Sequence, residues 1–133
     1  MKVVLDTNVL LVSFSARSDT HWIFERFLEE HYTLCVTTDV LLEYEEIVGR
    51  EMGSNAAFAL MQLLDNASNV ERVNTWFRWN LITADPDDNK FVDCAIACNA
   101  HYIVSEDRHF NILSKVPFIG VKVLDIKDFK LVI

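Results

Sequence analysis

The segment KVVLDTN, residues 2–8, decides the fold, because a short apolar run there ends in an acid, a threonine and an amide. Such a run ending in turn-forming residues is typical of a buried strand, so we predict a strand at Lys2–Leu5. Similar short runs predict four more strands, at residues 33–37, 70–73, 102–105 and 121–124.

Apolar residues at helical spacing lie between these strands. They predict helices at residues 20–30, 38–49, 55–64 and 89–99, a helical stretch ending near 113 and a terminal helix at 125–129. Thr38 is the expected N-cap of the second helix and Gly49 its end, whereas the segment 75–82 fits neither pattern. Helices that separate successive strands imply right-handed crossovers. The predicted fold class is therefore α/β, with a mostly parallel central sheet covered on both faces.

The composition favours one domain over residues 1–133. Hydrophobic residues make up 51% of the chain, and the three glycines and two prolines mark no linker. The first apolar run is too short for a signal peptide, and no apolar run approaches the length of a membrane span. Cys94 and Cys98 lie one helical turn apart in an apolar stretch, which favours reduced core thiols over a disulfide framework. These features predict a cytoplasmic protein that has no membrane partner.

The positions of the acidic residues carry the functional prediction. The formal net charge of −8 argues against a general nucleic-acid coat protein, because phosphate binding depends on clustered lysine and arginine. Asp6 and Asp107 follow predicted strands and Asp88 begins a helix, so we expect all three where the carboxyl ends of the strands lie. Glu43, on the second predicted helix, can lean towards that edge. The acids provide either solubility or a cation site.

Four carboxylates in one pocket would raise one another's pKa, and a divalent cation is the simplest counter-charge. Oxygen ligands favour Mg²⁺ or Mn²⁺, and neither the four histidines nor the three cysteines have the spacing of a zinc site. Two such cations about 4 Å apart could activate a water and stabilise the leaving oxygen of a phosphodiester. The acids therefore predict a metal-dependent hydrolase.

Four motifs, taken in order, resemble the PIN-domain family: VLDTNVL at 4–10, LLE at 41–43, DPDDNKF at 85–91 and YIVSED at 102–107. The resemblance covers essentially the whole chain and is greatest to stand-alone bacterial proteins described as toxins of toxin–antitoxin pairs. It implies a three-layer α/β/α fold with a parallel central sheet. It also implies a Mg²⁺- or Mn²⁺-dependent endoribonuclease with an RNA substrate and an antitoxin protein as partner, and it is compatible with a homodimer.

The resemblance also implies roles for individual residues. The acidic set that would bind the metal and carry catalysis comprises Asp6, Glu43, Asp88 and Asp107. Asn8 and Ser105 would hold these carboxylates by hydrogen bonds, as metal sites usually require. Glu106 departs from the family pattern, which often has a small residue at this position.

Each candidate also has a purely structural interpretation. Asp6 and Asp107 suit ordinary turns, and Glu43 suits a solvated acidic helix face. Asp85 fits an N-cap better than a ligand. Asp93 lies on the same predicted helix as Asp88, five residues further along. It is either an auxiliary metal ligand or a solvated residue.

Two further features leave alternatives open. The aromatic segment WFRW, residues 76–79, fits core packing better than base stacking or partner binding, and an exposed aromatic face would be the expected dimer interface. Lys90, Arg108 and Arg17 are candidates for phosphate contacts. The low basic content leaves room for a catalytically weak PIN-like module that binds RNA or protein. A phosphatase of another α/β family has less support, because no neighbouring acid forms an Asp-x-Asp pair with Asp6.

Overall fold

A computed structural model describes residues 1–116 and 120–133 of the chain. The strands in these ranges are β1 (Lys2–Leu5), β2 (Thr33–Val36), β3 (Val70–Arg72), β4 (Tyr102–Val104) and β5 (Lys122–Leu124). The helices are α1 (Thr7–Phe14), α2 (Trp22–Leu28), α3 (Thr38–Met52), α4 (Ser54–Asn66), α5 (Asn89–Cys98) and α6 (Ile126–Val132). Two 3-10 helices, Pro86–Asp88 and Arg108–Lys115, precede α5 and follow β4.

The strands form a parallel sheet in the order β3-β2-β1-β4-β5, with β1 at its centre. The chain adds β2 and β3 on one side of β1, then returns to add β4 and β5 on the other. Because parallel connections are right-handed, the two directions place their helices on opposite faces. The predicted α/β class, with a parallel sheet and α/β/α layers, is confirmed. The reversal beside β1 is a topological switch point, where sheets of this kind bind ligands.

The core holds the carboxyl end of β1 in a fixed position. Val3 is fully buried and aligns with Leu34 of β2 and Tyr102 of β4. α5 packs across β1, β2 and β4. α3 is attached to β1 by the buried Tyr44 hydroxyl, which donates to the Leu5 carbonyl at 2.6 Å. Whatever follows Leu5 is therefore positioned by the sheet and by two helices.

α1 has no clear signal in the sequence. Its residues TNVLLVSF are apolar around most of the helix, so the spacing of apolar residues does not distinguish a buried from a solvated face. The two turn-forming residues at its start, Thr7 and Asn8, are its first helical residues instead of a loop. The first helix predicted from the sequence lies at residues 20–30, so α1 is absent from the prediction.

α3 begins and ends differently from the prediction. Its cap is Thr37, whose side chain accepts a hydrogen bond from the Val40 N–H, and not Thr38. It runs past Gly49, which faces α4, where an added Cβ would make an ordinary contact of 3.6 Å with the Ala57 Cβ. The break comes at Gly53, whose φ of +96° favours glycine.

The cysteines depart from the prediction of reduced thiols. Cys35 of β2 and Cys98 of α5 form a disulfide, and both residues are buried. Cys94 is a free thiol, and burial raises its pKa to about 12, so it is an unreactive core residue. The prediction of reduced thiols is wrong for Cys35 and Cys98 and confirmed for Cys94.

The aromatic segment does not join the core as expected. The side chains of Trp76 and Phe77 are 91% and 63% exposed, and Trp79 is partly buried. Residues 75–82 contain no helix or strand, and Ile82 at their end is buried. The prediction of core packing is therefore wrong for Trp76 and Phe77. In the described part of the chain, none of the helices is both long and apolar enough to span a membrane.

Candidate functional site

Asp6 lies between β1 and α1, at the edge of the sheet where the strands' carboxyl ends meet. Its backbone N–H donates to the Val104 carbonyl at 3.0 Å, which continues the β1–β4 pairing beyond β1. Its carboxylate accepts a hydrogen bond from the Ser105 Oγ at 2.8 Å, and that Oγ accepts one from the Asp107 N–H at 2.9 Å. Ser105 therefore connects two of the predicted acids. Asp6 occupies the N-cap position of α1, yet its side chain makes no capping hydrogen bond, so its carboxylate is directed elsewhere.

The charge on Asp6 is destabilised by its surroundings. Burial raises the pKa of Asp6, hydrogen bonds from Ser105 and the Thr7 backbone lower it, and the charges of Glu43 and Asp107 raise it again. The net result is a pKa above the ordinary value of an aspartate. The charges of Glu43 and Asp107 therefore act against the ionised form of Asp6.

Asp88 brings the third predicted strand-edge acid into the same group. It closes the 3-10 helix before α5 and is 9% exposed. Burial raises its pKa to about 6, a hydrogen bond with His109 opposes the rise, and the charges of Asp6, Asp85 and Asp107 add to it. The sequence therefore folds so that the ends of β1 and β4 and the start of α5 place their acids together.

Glu43 joins this group from α3. One carboxylate oxygen accepts a hydrogen bond from the Thr7 hydroxyl, and the other lies 2.8 Å from the Lys90 Nζ. Burial lowers the pKa of Lys90, but the hydrogen bond and charge of Glu43 outweigh it and leave that pKa raised. Both side chains of the pair are about four-fifths buried, so this ion pair is shielded from solvent. We refer to the four residues Asp6, Glu43, Asp88 and Asp107 as the acidic centre.

Two of the predicted site residues are placed differently from this centre. Asn8 is exposed on α1, and in the described ranges its side chain has no hydrogen bond with an acid of the centre. The neighbouring Thr7 contacts Glu43 instead. Asp93 is buried on α5, where its carboxylate accepts a hydrogen bond from the Trp79 backbone N–H at 3.1 Å and interacts with Arg78. Asp93 thus holds the segment before α5 in place.

The sequence reasoning missed Thr7, Asp85 as a neighbour of the centre, and His109. Asp85 caps the 3-10 helix as predicted, by accepting from the Asp87 N–H, but its charge also acts on Asp88. His109 Nδ1 lies 3.3 Å from the Asp88 carboxylate and 3.2 Å from that of Asp107. The sequence did contain a signal for His109. Asp107 caps the helix that starts at Arg108 and accepts a hydrogen bond from the His109 N–H, which holds His109 close to Asp107.

A groove of about 500 Å³ adjoins the acidic centre. It is lined on one side by Glu43 of α3 and on the other by Lys90 and Asp93 of α5, with Arg78 from the aromatic segment. Asn89 fixes the edge of this groove, since its side-chain amide exchanges two hydrogen bonds with the backbone of Ile82 at 2.9 Å. Glu106 points elsewhere: its carboxylate accepts from the Ile126 N–H at the start of α6.

The donors of the acidic centre fit a divalent cation. The charges of Glu43 and Asp107 act on Asp6, and those of Asp6 and Asp107 act on Asp88. Within residues 1–116 and 120–133 the ion pairs to these acids come only from Lys90 and His109. Burial raises the pKa of Asp6 and of Asp88 and so disfavours their charged forms, whereas a cation with oxygen ligands would favour them. A parallel α/β protein with a group of acidic side chains at the carboxyl edge of its sheet is the class that this fold and this geometry define.

Comparison with known families makes the assignment specific. The model of the PIN domain matches residues 2–109, so the chain belongs to the PIN-domain family. The family match contains β1 through β4 and every acid of the centre. A comparison with curated protein sequences gives no match.

Solved structures share the fold at low sequence identity. VapBC2 of Rickettsia felis, solved with a DNA fragment of its promoter, has a TM-score of 0.63 at 16% identity, over 94% of this chain and 98% of that one. VapBC-1 of nontypeable Haemophilus influenzae has a TM-score of 0.62 at 14% identity, over 96% and 99%. VapC20 of Mycobacterium tuberculosis, a toxin that cleaves the sarcin–ricin loop, has a TM-score of 0.59 at 17% identity, over 90% and 98%. The architecture is therefore that of VapC toxins.

Proposed function

We propose that this chain is an endoribonuclease that hydrolyses RNA phosphodiesters with Mg²⁺ or Mn²⁺ and is the toxin of a toxin–antitoxin pair. The observation that carries the proposal is the convergence of Asp6, Glu43, Asp88 and Asp107 on one edge of the sheet, where burial disfavours the charge of Asp6 and Asp88. A module that only binds RNA gains nothing from buried carboxylates that repel each other.

The residues have separate roles in this proposal. Asp6, Asp88 and Asp107 hold the cation, which when bound supplies positive charge to activate a water and to stabilise the phosphate. Ser105 orients Asp6 by its hydrogen bond. Glu43 is restrained by Thr7 and Lys90, so its carboxylate is positioned to orient the attacking water and accept its proton.

The partners follow from the same proposal. VapBC2 and VapBC-1 are toxin–antitoxin complexes and VapC20 cleaves an RNA, so their shared fold supports an antitoxin partner and an RNA substrate for this chain. The exposed Trp76 and Phe77 offer an apolar surface for a protein partner or a second copy of the chain.

Metal binding and cleavage, measured together, test the proposal. Wild-type protein and Asp6→Asn are titrated with Mn²⁺ by calorimetry and then incubated with an end-labelled structured RNA, with and without EDTA. We expect the wild type to bind Mn²⁺ and cut the RNA, and the variant to keep its circular dichroism spectrum and thermal unfolding but lose cleavage. Equal cleavage by the variant would place the activity in a contaminant or another site.

A second candidate, a PIN-like module that binds RNA or protein without cutting, is favoured by the exposed aromatic pair Trp76 and Phe77. The same experiment separates the two. Binding of RNA that is independent of metal, with no cleavage by fresh wild-type protein at any Mn²⁺ concentration, would favour the module.

A further inference from the structure

His109 is the histidine that joins the acidic centre, and its surroundings are those of a ligand. Its imidazole Nδ1 lies 3.3 Å from an Asp88 oxygen and 3.2 Å from an Asp107 oxygen. The other histidines of the described chain bind elsewhere: His21 contacts the Ser13 carbonyl, His31 lies near Glu29, and His101 accepts from the Lys2 N–H. Among the histidines of the described residues, His109 is therefore the one whose ring contacts acids of the centre.

The geometry around Asp88 suits one cation with a nitrogen ligand. Asp85, Asp88 and His109 each offer one ligand atom, and these atoms lie within 4.8 Å of one another. Atoms bonded to one cation at about 2.1 Å lie about 3 Å apart when adjacent and about 4 Å apart when opposite, so the three need only small side-chain rotations to share one. Helix caps already restrain Asp88 and His109. Asp85 caps the 3-10 helix that contains Asp88, and Asp107 caps the 3-10 helix that contains His109.

We propose that His109, with Asp88 and Asp85, provides a cation position with a nitrogen ligand beside the acidic centre, and that this position makes the protein prefer Mn²⁺ to Mg²⁺. The inference rests on the proposed metal-dependent nuclease and states which cation it uses. Mg²⁺ binds oxygen almost exclusively, whereas the transition metals accept imidazole and gain affinity from it. Asp88 belongs to both sites, since it is one of the four acids of the centre and one of the three residues whose ligand atoms lie within 4.8 Å of one another.

Mn²⁺ added to the full-length protein is a direct probe of the imidazole. Pulsed electron paramagnetic resonance detects the ¹⁴N nucleus of a histidine bonded to Mn²⁺. We expect this nitrogen signal in the wild type, its loss in His109→Gln, and its retention in His31→Gln, the matched control. His31 precedes β2 and therefore lies at the opposite edge of the sheet.

Metal affinities give a second and independent readout. Calorimetric titrations with Mn²⁺ and with Mg²⁺ should show the ratio of their affinities falling by about tenfold in His109→Gln, and by a smaller factor in Asp85→Asn, which retains a capping residue. His31→Gln should leave the ratio unchanged.

The outcomes distinguish this inference from the proposed function. Mn²⁺ binding by the wild type without a nitrogen signal overturns the role of His109 and leaves the nuclease proposal standing, and this result needs no variant that must fold. An unchanged affinity ratio in a folded His109→Gln protein overturns the selectivity. Failure of the wild type to bind either metal overturns both proposals.

Discussion

Each end of α5 contains a cluster of three potential metal ligands, and the two clusters differ in character. At its C-terminal end, Cys98 is joined to Cys35, and Glu71 forms an ion pair with Lys2 at 2.9 Å. At its N-terminal end, Asp88 is buried beside other acids, and its pKa is raised to about 6. Each end has three side chains close enough to hold a metal ion.

The two ends of α5 differ in how far the charges of their side chains are balanced. The sulfurs of Cys35 and Cys98 are used by their bond, and the charge of Glu71 is balanced by Lys2, whose ammonium also donates to the Cys98 carbonyl. At the other end, burial and repulsion disfavour the charge of Asp88. A cluster of potential ligands indicates a site only where its charges remain unbalanced.

Replacing one acid at each end gives the largest expected contrast. Asp88→Asn should reduce Mn²⁺-dependent cleavage of RNA by at least about 100-fold, the scale of removing one charge-stabilising group from an active site. Glu71→Gln, the matched acid-to-amide change at the other end, should leave cleavage within about twofold and reduce the free energy of unfolding by less than about 1 kcal/mol. Initial rates on labelled RNA measure the first effect, and urea titration measures the second. Similar losses of cleavage in both variants would remove the distinction between the two ends.

Reduction of the disulfide tests the other half of the comparison. The bond closes a loop with a sequence separation of 63, so reduction should lower the free energy of unfolding by about 2–4 kcal/mol. Cleavage at saturating Mn²⁺ should persist, because the bond lies at the end of α5 remote from Asp88. Thiol labelling of denatured, unreduced protein should find one free thiol, that of Cys94. Three free thiols would show that Cys35 and Cys98 are not bonded to each other. Both could then bind a metal, and both ends of α5 would be candidate metal sites.

A lysine on the first turn of α5 sharpens the role of charge balance. Lys90→Met removes the cation paired with Glu43. We expect cleavage to fall by about tenfold. The rise in melting temperature caused by Mn²⁺ should be larger than in the wild type, because without Lys90 the carboxylates repel one another more strongly and the cation relieves more of that repulsion. Lys127→Met, at an exposed position of α6, is the control. A variant whose melting temperature responds to Mn²⁺ as the wild type does would show that Lys90 does not balance the centre.

The smallest expected effect concerns pH. The pKa of Asp88, about 6 in the folded chain, lies above the ordinary value of about 4, so the folded protein retains a proton that the unfolded chain has lost. The free energy of unfolding of the metal-free protein should therefore rise as the pH falls from about 7 to about 5. The affinity for Mn²⁺ should decline over the same interval, since the proton and the cation compete for one carboxylate. Urea titrations in EDTA at both pH values should show a smaller rise for Asp88→Asn; an equal rise would assign the effect to other groups.

The parts of the fold that the sequence predicts are those with a regular pattern. Strands such as β1 and β4 are mainly apolar runs, and the 3-10 helix that leads into α5 has both a cap and a proline at its start, so their approximate limits follow directly. α1 could not be found in this way because it is apolar on most sides. Gly49 was misread because a glycine that ends a helix and one inside a helix look identical in sequence.

The acidic centre was predictable only where the backbone itself sets the position. Asp6, Asp88 and Asp107 follow from topology, since the ends of parallel strands and the helices after them share one edge. Side-chain direction decides the rest. Thr7 and Asn8 are equally plausible neighbours of Asp6 in sequence, yet rotation along α1 brings the first to Glu43 and exposes the second. The contact of His109 with Asp88 and the disulfide depend on pairing across distant elements, which spacing along the chain does not reveal.

The Asn89 side chain has a consequence for how this protein can change. By holding both backbone groups of Ile82, it behaves like a short piece of strand and ends the irregular segment at a fixed point beside the groove. We therefore expect that residues 74–81 can be exchanged while Asp88 keeps its place. Exchange of that segment would then alter the groove of the proposed nuclease and leave the acidic centre unchanged.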